Sequence, residues 1–246
     1  MPLLNYILVS FFLITSANAW DLKDFKTEAL SPFSTSARNV FYTGAGLTLS
    51  VLIFEDAIVD PTQREFVEDK PVGSLSRFGD LAGQMIPNAL YVLGQTIAGA
   101  NGNKYGYSRA LGMLKATAYS SAVTMGLKYT IREPRPNNES SRNSFPSGHA
   151  TTAFAFGGYI FAEHGWIAGI PALSLATLVG ASRINDNRHY LHDVLAGATI
   201  GLVYGIGISK LDQNKRASEI EEKSASLTIA PIFDGNTKGI ALIKEF

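Results

Sequence analysis

Between Lys128 and Asp193 the chain carries the side chains needed to hold a phosphate and cleave its ester bond. Lys128, Arg135 and Arg183 offer three fixed cations, His149 and His189 two imidazoles, and Asp193 a carboxylate. They fall in three patterns: K-x6-R-P from Lys128 to Pro136, P-S-G-H from Pro146 to His149, and S-R-x5-H-x3-D from Ser182 to Asp193. A phosphoryl group in transfer spreads its charge over equatorial oxygens, so its catalysis is mostly positioning and stabilisation by fixed donors. An arginine fork matches two of those oxygens, while lysine acts as a movable point charge. Taken singly, each of these cations is an ordinary surface charge, and Arg132 and Arg142 in the same loop are given that reading.

The remaining parts supply the chemistry. Ser147 and Gly148 precede an apolar run, near a helix N-terminus whose free N–H groups and dipole favour an anion. His189 and Asp193 are four apart at a helix start and so share a face, where the carboxylate can hold one ring nitrogen and leave the other to attack phosphorus. The product of that attack is a phosphohistidine, which water then cleaves. His149 is the available group to protonate the leaving oxygen. His192 is read as a wall or core residue, and His164 is given no role. No H-E-x-x-H or Cys/His ligand spacing occurs, and the accompanying lysine and arginines would repel a cation, so neither metal nor cofactor is expected.

These segments need helices to position them. The pattern predicts a short helix and a connection from Asp21 to Arg38, with Ser31-Pro32 as a stop, and a first core helix over Val40–Val59. Asp60 and Pro61 fit the cap and first position of a short charged helix to Lys70. A helix over Phe78–Gly99 kinked at Pro87, a long one over Tyr107–Tyr129, and a loop from Ile131 to Ser144 follow. Helices over Ala150–Ala162 and Trp166–Ser182 are broken near Gly165, and Tyr190–Ser209 is the last long one. Its Gly197, Gly201 and Gly205 make a ridge that lets another helix approach closely. Asp80, Gln84 and Asn88 read as a polar stripe facing water or the site. Lys210–Ser224 is a charged, solvated segment, and two strand-like runs around Asp234-Gly235-Asn236 read as a hairpin.

Residues 1–19, an apolar run ending in Ala17-Asn18-Ala19, read as an export signal, cleaved or retained as an anchor. Residues 20–209 are then one helical domain and 210–246 a charged segment with its terminal hairpin. With 21 basic and 21 acidic residues, no basic field suits nucleic acid. The absence of cysteine excludes disulfides and thiolate metal sites. Trp166–Ser182 and Val194–Ser209 are slightly short for membrane spans, and the mean hydropathy is only +0.09. Embedded and peripheral membrane placement both stay open.

At the three motifs the sequence resembles the type 2 phosphatidic acid phosphatase (PAP2) superfamily, which includes bacterial class A acid phosphatases and vanadium haloperoxidases. The motifs match in order and spacing over about Tyr107–Ser209. The resemblance implies an all-α helical bundle, with the C-terminal β-hairpin outside the match, and a metal-independent phosphatase. It casts His189 as nucleophile, Asp193 as its orienting partner and His149 as acid and then base. Lys128, Arg135, Ser147, Gly148 and Arg183 become the phosphate cradle. Its envelope members act on lipid phosphates such as phosphatidic acid, phosphatidylglycerol phosphate, undecaprenyl diphosphate or lipid A. The expectation is therefore an exported, periplasm-facing, membrane-associated bacterial lipid phosphatase. A soluble periplasmic acid phosphatase of broad specificity is the alternative, ahead of a vanadium haloperoxidase or a non-catalytic phosphate-binding module.

Overall fold

In the computed structural model, which describes residues 22–225, 227–234 and 237–244, ten helices precede a pair of strands. They are α1 (Leu22–Ala29), α2 (Ser31–Ser34), α3 (Ala37–Ile53), α4 (Glu55–Asp69), α5 (Leu75–Ala82), α6 (Ile86–Ala100), α7 (Gly106–Ile131), α8 (Gly148–His164), α9 (Trp166–Asn185) and α10 (Leu191–Ala225). The expected export signal, and Gly235 and Asn236 of the expected hairpin turn, lie outside the described residues.

Several boundaries differ from expectation for identifiable reasons. α1 ends at Ala29, just before the expected stop at Ser31-Pro32, and Pro32 also opens the short α2, since proline's fixed φ and missing N–H are tolerated in a first turn. Asp60-Pro61 does not start a helix. Pro61 lies inside α4, which is held by buried Val59 and Gln63 and by Phe66 packed against Ile184 and Val194. Tertiary packing there overrides a local cost of about 3 kcal/mol. Instead of one kinked helix over Phe78–Gly99, the chain breaks between α5 and α6, with Met85 in the left-handed region at φ 65°. Gly165, at φ 77°, separates α8 from α9 as expected.

The last helix does not end at Ser209: α10 continues through the charged stretch to Ala225. That stretch contains no glycine or proline and is rich in Lys, Glu and Ala, all good helix formers. Backbone contacts divide the chain between Leu211 and Asp212. In the second unit β1 (Leu227–Asp234) and β2 (Thr237–Lys244) pair antiparallel, Leu227 opposite Lys244 and Asp234 opposite Thr237.

The first unit is a helical bundle. α8 packs on α7 and α9, α6 on α7, and α5 on α9. The core runs through Met113, Ala116, Tyr119, Tyr159, Val203 and Ile208. The glycine ridge of α10 lies on α8: a Cβ at Gly201 would meet the Thr151 carbonyl, and one at Gly205 the Ala155 carbonyl. α1 is tied to α7 by a buried ion pair, Lys115 Nζ to Glu28 Oε1 at 2.5 Å, with Tyr119 donating to Glu28 Oε2 at 2.9 Å. Buried charges persist only when paired in this way. α9 and α10 are long and apolar enough to cross a membrane, longer than the sequence pattern suggested. Large apolar side chains stand exposed on several helices, among them Ile53, Leu90 and Ile167.

Candidate active site

The loop from Asp186 to Tyr190 carries His189 back beneath the end of α9. The N–H groups of Arg188 and His189 both donate to the Arg183 carbonyl, at 2.9 and 3.3 Å. His189 is buried, and its Nδ1 lies 3.3 Å from Asp193 Oδ2. That oxygen also accepts from Ser144 Oγ at 2.6 Å and from the Tyr190 N–H at 2.9 Å. Three donors converging on one carboxylate oxygen fix its charge and its direction. With Nδ1 committed to Asp193, the lone pair of His189 Nε2 is left for chemistry.

Burial, reinforced by the charges of Lys128 and Arg135, pushes the His189 imidazole down to about 4, against the opposing pull of Asp193. The ring is therefore neutral, and nucleophilic, at ordinary pH. Lowering the pH through about 4 should protonate it, so kcat/KM should fall on the acid side of that value. Its ordinary value is 6.5, so between there and about 4 the unfolded chain binds the proton more readily than the folded one. Stability conferred by neutral His189 is then present above 6.5 and declines as pH drops through that window. A pH profile of kcat/KM carried below about 4, beside Tm measurements across pH 4–7, checks both; a kcat/KM that does not fall below about 4 would contradict the assignment.

Ser147, in extended conformation at φ −69° and ψ 114°, is the N-cap of α8, its Oγ accepting from the Ala150 N–H at 3.4 Å. Its own N–H donates to the Asp193 carbonyl at 2.9 Å, which ties the P-S-G-H turn to the first turn of α10. The bond from the Ala150 N–H engages one lone pair of the buried Ser147 hydroxyl. A Cβ at Gly148 would project towards Lys128, with the Lys128 Cε 4.0 Å away. His149 follows in the first turn of α8, its Nε2 at 3.4 Å from Asp80 Oδ1. That separation is an ion-pair distance and not an aligned hydrogen bond, since Nε2 has no hydrogen-bond partner. Burial first, then the Arg183 charge, lowers the His149 pKa, while Asp80 acts in the other direction.

Lys128 Nζ, at the end of α7, donates to the carbonyls of Asn143 and Ser144 at 2.5 and 3.1 Å. Burial, with the Arg135 charge adding, brings its ammonium down to about 8. Arg135 donates through Nε to Asn143 Oδ1 at 2.8 Å. Arg183 is buried and bonded to Asp80, with Asp186 Oδ2 at 3.6 Å and Ser182 Oγ at 3.1 Å. The charges of Lys128 and Arg135 act on both His149 and His189, so these segments converge on one electropositive region.

Sequence reasoning missed Ser144 and Glu133, and read Asp80 only as part of a polar stripe facing water or the site. Ser144 lies just before the P-S-G-H turn, and nothing in its spacing marks it. Glu133 sits within the first motif: its Oε1 pairs with His192 Nε2 at 2.9 Å, and burial, with the Asp193 charge adding, holds its carboxyl above the usual range. The polar stripe does not exist as one helical face. Asp80 reaches the site, Gln84 Nε2 meets Asp80 Oδ2 at 3.4 Å, and Asn88 is buried against Thr117 and the Thr152 carbonyl. His192 is a buried wall residue stacked on Tyr190, and His164 bonds the Tyr91 hydroxyl at 2.8 Å.

Glu133, His192 and Asp193 offer ligand atoms within 4.8 Å of one another, close enough for a metal ion. Within this group His192 Nε2 stands 2.9 Å from Glu133 Oε1, a hydrogen-bond distance.

Residues 109–217, which contain all three motifs, match the family model of the PAP2 superfamily. Lipid A 1-phosphatase of Porphyromonas gingivalis is 37% identical over 109 residues, 41% of this chain and 24% of that protein. Lipid A 4'-phosphatase of Helicobacter pylori is 34% identical over 83 residues, 34% of this chain and 41% of its own length. The match thus spans under half of each of these relatives. A crystal structure of a transmembrane PAP2 type phosphatidylglycerolphosphate phosphatase from Bacillus subtilis aligns over 86% of this chain and 96% of its own, with 20% identity and a TM-score of 0.47, too loose a likeness to build on.

Proposed function

We propose that the protein is a metal-independent phosphatase of the bacterial envelope that acts on lipid phosphates or diphosphates through a phosphohistidine. The observation that carries this reading is His189, buried and neutral, with Nδ1 held by Asp193 and the charges of Lys128 and Arg135 bearing on it. In the first step His189 Nε2 attacks phosphorus while the ester bond to the leaving oxygen breaks and His149 gives that oxygen a proton. In the second, water attacks the phosphohistidine and returns a proton to His149, releasing inorganic phosphate and free His189. Arg183, Lys128 and Arg135 hold the phosphoryl oxygens, and Gly148 leaves room for them beside Lys128. Exposed apolar helix faces and two helices long enough to cross a bilayer support membrane association and a lipid leaving group. The names of the lipid A phosphatase relatives point the same way.

The test is phosphate release by purified protein in detergent from phosphatidic acid, phosphatidylglycerol phosphate, undecaprenyl diphosphate, lipid A and p-nitrophenyl phosphate, with and without a chelator. Release from a lipid phosphate at a rate the chelator leaves unchanged is expected. Loss of activity with chelator, restored by a divalent ion, would overturn the mechanism. Preference for the small ester would overturn the lipid substrate class.

A further inference from the structure

Asp80 lies outside the family segment, on α5, yet its carboxylate sits among the motif residues. Its immediate surroundings are built for close approach. A Cβ on Gly79 would come within 2.6 Å of Ser182 Oγ, and one on Gly83 within 2.5 Å of His149 Cδ2. Thr152 Oγ1 donates to the Gly83 carbonyl at 2.8 Å. The two glycines and this bond press α5 onto the end of α9 and onto the His149 ring. Asp80, between the glycines, then meets the Arg183 guanidinium and His149 Nε2 with the same oxygen, Oδ1.

We propose that Asp80 is a positioning residue that favours the protonated form of His149, the form that can give a proton to the leaving oxygen, against the cations around it. The inference rests on the phosphatase reading and adds to it a residue that the motifs do not contain. The charged groups that face His149 are Arg183 from α9, Arg135 from the loop, Lys128 from α7 and Asp80 from α5. Three are cations, which favour the neutral ring, and Asp80 is the acid among them. A general acid must begin the reaction protonated, so a site rich in cations needs a carboxylate beside it. Because the 3.4 Å contact is not an aligned hydrogen bond, the Nε2 proton is stabilised without being tied up. Asp80 thus serves His149 as Asp193 serves His189: each carboxylate opposes the burial and the cations that favour the neutral ring.

The experiment compares wild type, Asp80→Asn and Asp80→Glu on a lipid phosphate, whose alkoxide needs a proton to leave, and on p-nitrophenyl phosphate, whose phenolate scarcely does. For Asp80→Asn, kcat on the lipid should fall about 10- to 100-fold, with its alkaline limb displaced to lower pH. The aryl ester should change by less than about threefold, and Asp80→Glu should recover most of the lipid activity. Equal losses on both substrates with an unmoved limb would overturn the proposal, since that is what an effect through Arg183 alone would give. NMR titration of the His149 ring in wild type and Asp80→Asn provides a readout independent of turnover: the midpoint should drop in the variant, and an unchanged midpoint overturns the proposal. A wild-type protein that releases phosphate from neither substrate fails the phosphatase reading instead, while the titration still decides the role of Asp80.

Discussion

Replacing His189 by alanine should abolish phosphate release from lipid and aryl substrates alike, with kcat falling on the order of 10⁴-fold or more. The two substrates should lose together because the attacking atom is common to both, whatever the leaving group. His189 is buried beneath Ser144 and Asp193, so the substitution removes a ring whose Nδ1 satisfies the carboxylate. Asp193 keeps the Ser144 hydroxyl and the Tyr190 N–H as donors, so the turn should hold and the protein should fold. Rapid acid-free quenching of wild type with labelled substrate should trap a phosphoramidate that is labile to acid and stable to alkali. The variant should trap none. Residual turnover above about 1% in the alanine protein would mean that another group attacks phosphorus, and the phosphohistidine route would have to be abandoned.

Much of this site could be read in the sequence because its parts obey local rules. His189 and Asp193 are four apart, so a helix start brings them together without any knowledge of the fold. The P-S-G-H turn announces a cap, and Ser147 is one. What no local rule could reach was contact between segments distant in sequence. Asp80 is 103 positions from Arg183, and it reaches the site because glycines on either side let α5 sit tightly on α9 and His149. Read as one stripe with Gln84 and Asn88, it was assigned to a helix that in fact breaks between Ala82 and Ile86. The break itself uses Met85 at positive φ, a conformation that side-chain type rarely predicts outside Gly, Asn and Asp. Pro61 failed for the converse reason: a strong local signal for a helix start gave way to the packing of Val59, Gln63 and Phe66. The ridge of glycines on α10 was visible as a pattern, but its partner was not. That partner is α8, whose first turn carries His149.

Gly201→Val should therefore damage both stability and activity. A side chain there would run into the Thr151 carbonyl, the Ala155 nitrogen at 2.7 Å and the Phe154 carbonyl carbon at 3.0 Å. These are backbone atoms of a helix and cannot rotate aside, so α8 and α10 must move apart. Overpacking of this kind costs about 1–3 kcal/mol, and more where the backbone must shift. The separation bears on catalysis because Thr151 is two residues from His149, and Ser147 N–H to Asp193 carbonyl is the bond that holds the two helix starts together. Displacing one of them by about 1 Å should lower kcat roughly 100-fold. Gly205→Val, one turn further along and set against the Ala155 carbonyl and the Tyr159 nitrogen, should cost similar stability with a smaller loss of kcat. Gly94→Ala on α6, where a Cβ would meet nothing within 4 Å, should raise Tm slightly through helix propensity. Thermal unfolding and kcat measured on the three variants separate the two effects. If Gly201→Val melts and turns over like wild type, the α8–α10 contact does not set the spacing of the catalytic helix starts.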